Sequence, residues 1–313
     1  MQIAVIGAGN MGCLYGANLA RAGAQVTLVD PWEEHIHQLQ QHGLQMDGLH
    51  GEFTVPVGAT TDPATIAGQA DLALILVGTY ARDAAADAAR TVLKPDGYAL
   101  TLQNGMGNVE VLQEALGVTR AMAGLTFHSA DLRGPGAVTH TNEGHTYLGE
   151  LDRSHTPRLE VLVALMEKAG MNPVLEADIL ATIWGKLVLN CGINALCAIT
   201  ELRPGHLREV PELDEFQTRI IAEVVALARA KGIQLSNPEP LQEIKEYSAK
   251  KFHRVSMLQH LARGRQTEID SLNGYVARES KKLGLPSPYN ESLTSLIKGR
   301  QYRPVGERQH NPH

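Results

Sequence analysis

The first residues able to do chemistry stand near the start of the chain, where Gly7-Ala8-Gly9-Asn10-Met11-Gly12 forms a GxGxxG loop. It follows a β-branched run, Gln2 to Ile6, and precedes a small-residue stretch, Cys13 to Ala22, that Gly23 stops. In that order the glycines have separate tasks: Gly7 permits a tight turn, Gly9 lets the backbone approach a pyrophosphate, and Gly12 lets helix and strand pack closely. The helix N-terminus offers unpaired N–H groups and a partial positive charge to the phosphates. A second strand, Gln25 to Asp30, ends on a carboxylate about twenty residues on, the place where an acidic side chain accepts hydrogen bonds from the adenosine ribose and repels a 2′-phosphate. Asp30 therefore favours NADH over NADPH; as Asp30-Pro31 it also reads as a turn aspartate.

A second group of polar residues lies in the latter half. Lys186, Asn190 and Asn194 recur every four positions, so on a helix they share a face. Buried without partners, an ammonium and two amides would be costly, so the face is a solvated stripe, a helix–helix hydrogen-bond network or a ligand contact. Further on, Thr267 reads as an N-cap with Asp270 as its capping-box partner, which places Glu268 in a first helical turn, where a carboxylate also suits the helix dipole.

The elements that must carry these residues follow from pattern. Leu72 to Val77 and Tyr98 to Leu102 extend a parallel sheet, with an alanine-rich helix, Ala81 to Val92, between them and Pro95-Asp96-Gly97 as the turn back. Beyond Gly124 short runs with turn residues predict a few antiparallel strands, and Thr156-Pro157 opens a helix that ends at Gly170. From Ala177 onward only helices are expected, near Ile179 to Ile199, Glu212 to Lys231, Pro240 to Lys250 and Glu268 to Leu283. The fold class is thus α/β: a Rossmann dinucleotide-binding domain over 1–175, then an all-helical substrate and catalytic domain over 176–313, with a cleft between them. A chain of 313 residues exceeds the usual size of one core, which agrees with two domains.

Composition removes other classes. A net charge of −6 without a Lys/Arg block argues against nucleic acid and against a polybasic membrane anchor, leaving a small-molecule partner. Cys13, Cys191 and Cys197 form no CxxC pair and no disulfide framework, which points to a reducing cytoplasm, and no metal site is expected. The apolar run Ile3 to Ile6 has no basic leader and reads as a strand rather than a signal peptide; no stretch approaches the ~18 consecutive apolar residues of a membrane span. Val305 to His313 reads as a polar tail.

Asn104-Gly105-Met106-Gly107-Asn108, Trp184 to Asn190 with Asn194, Ser256-Met257-Leu258-Gln259, Thr267 to Asp270 and Leu272-Asn273-Gly274, in that order, resemble the ketopantoate reductase family, the 2-dehydropantoate 2-reductases of pantothenate biosynthesis. The resemblance implies a Rossmann domain joined to a helical domain of the 6-phosphogluconate-dehydrogenase kind, NAD(P)H as cofactor with NADPH the family habit, a 2-oxo acid as substrate, and a homodimer by analogy. It implies Lys186 as general acid with Glu268 beside it, Asn190, Asn194 and Ser256 on the substrate's hydroxyl and carboxylate, and Asn104 near the nicotinamide. The sequence also departs from the family. A lysine is common after the third long strand, but Val77 is followed by Gly78-Thr79-Tyr80-Ala81-Arg82, leaving Tyr80 or Arg82 as the available substitute. His260 stands where an aspartate is frequent, and Asp30 runs against NADPH. A paralogue for another small hydroxy acid and a non-catalytic redox sensor are the alternatives; the joint presence of Lys186 and Glu268 weighs against the sensor.

Overall fold

In the computed structural model residues 1–302 are described, so the polar tail expected at Val305 to His313 lies outside the described residues. The chain divides into two compact units, the first comprising Met1–Asn104 with Asn108–Ile179, the second Gly105–Gly107 with the chain from Leu180 on. The division thus falls between Ile179 and Leu180 rather than after residue 175. Gly105–Gly107 goes with the helical unit because Met106 is buried in that unit's core and its N–H donates to the Ser271 carbonyl at 2.8 Å.

The first unit begins with strand β1 (Gln2–Ile6), helix α1 (Asn10–Arg21), β2 (Gln25–Val29), α2 (Glu33–His42), β3 (Leu44–Gly48), β4 (Phe53–Val55) and β5 (Gly58–Thr60). It continues with β6 (Ala70–Ile75), α3 (Arg82–Val92), β7 (Leu93–Thr101), α4 (Asn108–Leu116), β8 (Ala121–Thr126), β9 (Ser129–Gly134), β10 (Ala137–Asn142), β11 (Thr146–Gly149), α5 (Pro157–Lys168) and β12 (Pro173–Leu175). Eight strands form one sheet in the order β12-β11-β8-β7-β6-β1-β2-β5, and β1 lies parallel to both β2 and β6. The order reverses around β1, so the loop after β1 opens at the switch point where an α/β sheet leaves a crevice. The strands read as apolar runs because both faces are covered: Ile3, Val5, Leu28, Leu72 and Leu74 pack on one side, Ala4, Ile6, Ala73 and Ile75 on the other. Each large aliphatic side chain so buried contributes about 1.5–3 kcal/mol.

The antiparallel strands expected beyond Gly124 are present as β9 against β10 and β11 against β8. Unforeseen is a second sheet, β4-β3-β10-β9, which recruits the short alternating runs of β3 and β4. Pro95-Asp96-Gly97 also differs from expectation. Ala70 pairs with Leu93 and Leu72 with Tyr98, so these residues form a bulge inside β7, with Arg120 donating to the carbonyls of Gly97 (2.7 Å) and Lys94 (2.8 Å).

The second unit holds α6 (Ile179–Thr200), α7 (Pro211–Ala230), α8 (Leu241–Ala249), α9 (Ser256–Ala262), α10 (Asn273–Lys282) and α11 (Pro288–Gln301), with no strand among its described residues. By length and hydropathy α6 matches a membrane-crossing helix, yet 56% of its most apolar window is buried inside the protein, as in a core helix. Gly192 lets it approach α7, since a Cβ there would meet Ile221 at 2.9 Å.

The single helix expected from Glu268 to Leu283 is split. Ile269–Ser271 is a 3-10 turn, Leu272 breaks the path at φ −110° and ψ −110°, and α10 starts at Asn273. Nor does the capping box form. The Thr267 hydroxyl accepts the N–H of Ile269 at 3.3 Å, while Asp270 pairs with Lys298 at 2.7 Å. Tertiary bonds hold this path: buried Asn273 donates to the Cys191 carbonyl (3.2 Å) and to Asn290 Oδ1 (2.9 Å), and Glu223 accepts the N–H of both Tyr289 and Asn290 at 3.0 Å. These bonds anchor α10 and α11 to α6 and α7, fixing the turn that carries Glu268.

Candidate active site

The glycine loop of the first unit has the form of a phosphate cradle. Gly7 adopts φ +99°, and a Cβ on it would strike Val77; a Cβ on Gly12 would lie 1.8 Å from the Gly7 carbonyl oxygen. Both positions are closed to larger residues by the fold itself. Gly9 differs, because it caps α1 with ordinary backbone angles and a Cβ there meets nothing within 4 Å. Space is thus left beside the backbone at the N-terminus of α1, whose first N–H groups have no acceptor within the helix. Ala8 is buried, its carbonyl accepting the Cys13 thiol at 3.1 Å, and Asn10 Oδ1 accepts the Leu132 N–H at 3.2 Å. Met11 is partly buried against the first unit's core. The open space at Gly9, the helix N-terminus behind it and the acid at the end of β2 fit a dinucleotide pyrophosphate and ribose.

Asp30 stands just beyond β2. Its Oδ2 accepts the Ala8 N–H at 2.8 Å and its Oδ1 accepts the Trp32 N–H at 3.0 Å. The turn reading of Asp30 is therefore realised, and the same carboxylate lies against the glycine loop, as the binding reading requires. Across the loop, Gly78 is covered by the Tyr80 ring, 2.3 Å from where a Cβ would stand. Tyr80 itself is 62% exposed, so the tyrosine considered as a stand-in for the missing lysine lies over the surface. Asn104 is exposed, and its carbonyl accepts Asn108 Nδ2 at 3.3 Å.

In the second unit Lys186, Asn190 and Asn194 are all partly buried, along the edge of a helix whose Trp184, Leu187, Val188 and Cys191 are fully in the core. This excludes a fully solvated stripe. Among the described residues, the side-chain amides of Asn190 and Asn194 make no hydrogen bond within the protein, so no helix–helix network employs them. Burial pulls Lys186 from the ordinary 10.5 to about 8, against the opposing pull of Glu268. For Glu268 burial pushes upward, but His260 and Lys186 outweigh it and hold the carboxyl below its usual range. The Lys186 ammonium and the Glu268 carboxylate thus act on each other electrostatically in a poorly solvated part of the helical unit. Ser256 is exposed at the first position of α9, one turn before His260. Noted only as a departure in the sequence, His260 is the neighbour that spacing did not find: its Nδ1 lies 3.6 Å from Glu268 Oε2.

A Rossmann unit with a phosphate cradle, followed by a helical unit with a lysine–glutamate pair, defines a two-domain oxidoreductase that uses a nicotinamide dinucleotide. Comparison with known proteins agrees over nearly the whole chain. Residues 3–153 match the family Ketopantoate reductase PanE/ApbA and residues 178–301 match Ketopantoate reductase PanE/ApbA C terminal. The chain belongs to the ketopantoate reductase family. It is 31% identical over 301 residues to a 2-dehydropantoate 2-reductase of Halobacterium salinarum, covering 95% of this chain and 98% of that one. A crystal structure of a PanE/ApbA family ketopantoate reductase from Ralstonia eutropha JMP134 superposes with a TM-score of 0.89 at 32% identity, covering 96% and 98% of the two chains. The ternary structure of D-mandelate dehydrogenase with NADH and anilino(oxo)acetate gives 0.86 at 27% identity, with the same coverages.

Proposed function

We propose that the protein reduces the ketone of a 2-oxo acid, 2-dehydropantoate or a close relative, to the 2-hydroxy acid. The observation that supports this reading is Lys186, partly buried on the otherwise largely apolar α6, where burial draws its ammonium down to about 8 and the Glu268 carboxylate opposes that pull. A bound nicotinamide dinucleotide supplies the hydride. Lys186 holds its Nζ proton below pH 8 and delivers it to the ketone oxygen as negative charge develops there, stabilising that charge before transfer. Glu268 orients the ammonium or takes a substrate hydroxyl. Asn190, Asn194 and Ser256 hold the substrate's hydroxyl and carboxylate, and Asn104 faces the nicotinamide. The backbone of Gly7 to Gly12 holds the pyrophosphate, and Asp30 holds the adenosine ribose.

We assign NADH as the preferred dinucleotide, because a 2′-phosphate would bring its charge against the Asp30 carboxylate. The D-mandelate dehydrogenase structure with NADH supports this, whereas the family habit is NADPH. The same comparison and the Gly78-Tyr80 arrangement favour a second reading, a 2-oxo acid other than 2-dehydropantoate: where family members commonly carry a lysine, this chain has a glycine beneath a tyrosine ring. The test is a panel of 2-oxo acids, including 2-dehydropantoate and phenylglyoxylate, followed by cofactor absorbance with NADH and NADPH in parallel. Turnover of 2-dehydropantoate above the others supports the first reading, and turnover of phenylglyoxylate above it supports the second. Cofactor binding without turnover of any 2-oxo acid overturns both.

A further inference from the structure

The imidazole of His260 lies on α9 with Nδ1 buried, without a hydrogen bond, and 3.6 Å from Glu268 Oε2. The separation is beyond hydrogen-bonding range but within that of an ion pair. A buried ring nitrogen facing a carboxylate has one inexpensive way to be satisfied, a small rotation that lets Nδ1–H donate to Oε2. Both side chains are largely covered, at 28% and 16% exposure, so water competes weakly for either.

We infer that His260 is the positioning residue of this site, holding the Glu268 carboxylate in the orientation from which it keeps Lys186 protonated. The inference rests on the proposed role of Lys186 only for its catalytic consequence. Among the described residues, Glu268 is the carboxylate within ion-pair distance of the imidazole. Glu268 faces it from the segment before the 3-10 turn, Lys186 acts on the same carboxylate from α6, and the turn after α9 adds only Arg263 and Arg265, whose N–H groups donate to the His260 carbonyl. With His260 in place, Glu268 has a fixed rotamer and pulls Lys186 upward against burial. Without it the carboxylate is free to turn away, and burial lowers Lys186 further.

The test is a lysine side-chain NMR titration of the full chain, with the Lys186 resonance assigned by Lys186→Arg. The wild type is expected to inflect near pH 8. His260→Leu moves the inflection down by about half a pH unit or more. His260→Asn restores it, because the amide Nδ2 stands near the place of ring Nδ1, and His260→Gln, which reaches the Nε2 position instead, restores it less. On a Glu268→Gln background His260→Leu produces no further shift. Should the leucine variant fail to fold, His260→Gln against His260→Asn carries the comparison. An inflection unmoved in folded His260→Leu, moved equally without the Glu268 charge, or not restored by asparagine overturns the inference. In catalysis, the alkaline limb of kcat with the best 2-oxo acid moves in parallel while KM changes little. Shifted titrations in a protein that reduces no 2-oxo acid would overturn the proposed function and leave the positioning role standing.

Discussion

Asp30 accepts the backbone N–H of Ala8 at 2.8 Å, so the side chain proposed to select the cofactor also braces the glycine loop. Replacing the acid therefore has two consequences. Asp30→Asn keeps an oxygen acceptor and removes the charge, so the NADH to NADPH ratio of kcat/KM falls with little loss of stability. Asp30→Ala lowers the ratio similarly and also costs about 1 kcal/mol or more, because the buried Ala8 N–H loses its acceptor. Parallel kinetics and urea midpoints check this, and a wild type that already prefers NADPH refutes the assignment of Asp30.

The second and third glycines of the loop, Gly9 and Gly12, separate binding from folding. Gly9→Val meets open space and an ordinary φ, so the protein folds normally and loses dinucleotide affinity by at least tenfold, measured by calorimetric titration. Gly12→Ala drives a Cβ into the Gly7 carbonyl and is expected to lower the melting temperature before any question of binding arises. Unchanged cofactor affinity in Gly9→Val would show that the phosphates sit elsewhere.

Lys186→Ala costs turnover rather than cofactor affinity, because the lost interaction is strongest with the alkoxide-like transition state. A loss of roughly two to four powers of ten is the size of general acid catalysis. The sign of the pH effect follows from the direction of the shift: the acid must be protonated, so kcat is full below pH 8 and falls as pH rises through about 8. A variant within a factor of a few of wild type would remove Lys186 as the proton donor.

His128 and His140, buried with Nδ1 of the first 3.2 Å from Nε2 of the second, predict acid sensitivity of the first unit. Burial lowers both from the ordinary histidine value. Above pH 6.5 both are neutral folded or unfolded, with no effect. As pH falls from 6.5 toward their lowered folded values, the unfolded chain takes up protons that the folded one refuses, and stability drops by about 1.4 kcal/mol per pH unit for each ring. Urea midpoints between pH 7.5 and 5 measure this, and His128→Gln should flatten the slope. An equally steep slope in that variant assigns the loss to other groups.

Much of the architecture was legible because it depends on local pattern. The GxGxxG loop between two apolar runs announced β1, α1 and β2, and the four-residue recurrence of Lys186, Asn190 and Asn194 placed them on one helical edge. Where long-range contacts decide conformation, pattern fell short. The residues of β3 become a strand by pairing with β10 and those of β4 by pairing with β3, the residues at Pro95–Gly97 bulge where Arg120 holds the Gly97 and Lys94 carbonyls, and the continuous helix expected from Glu268 breaks because Asn273 and Ser271 bond to distant segments.

The sequence by itself determined the Rossmann unit, the helical unit and the kind of cofactor, since glycine stereochemistry and helical period are properties of the chain, while the expectation that Lys186 and Glu268 act together came from the resemblance to the family. Only the tertiary structure decided that Asp30 braces the loop, that Tyr80 covers Gly78, that Lys186 is brought to about 8, and that His260 is the neighbour of Glu268. Each of these depends on burial or on a distance between residues far apart in sequence, and both exist only once the chain has packed.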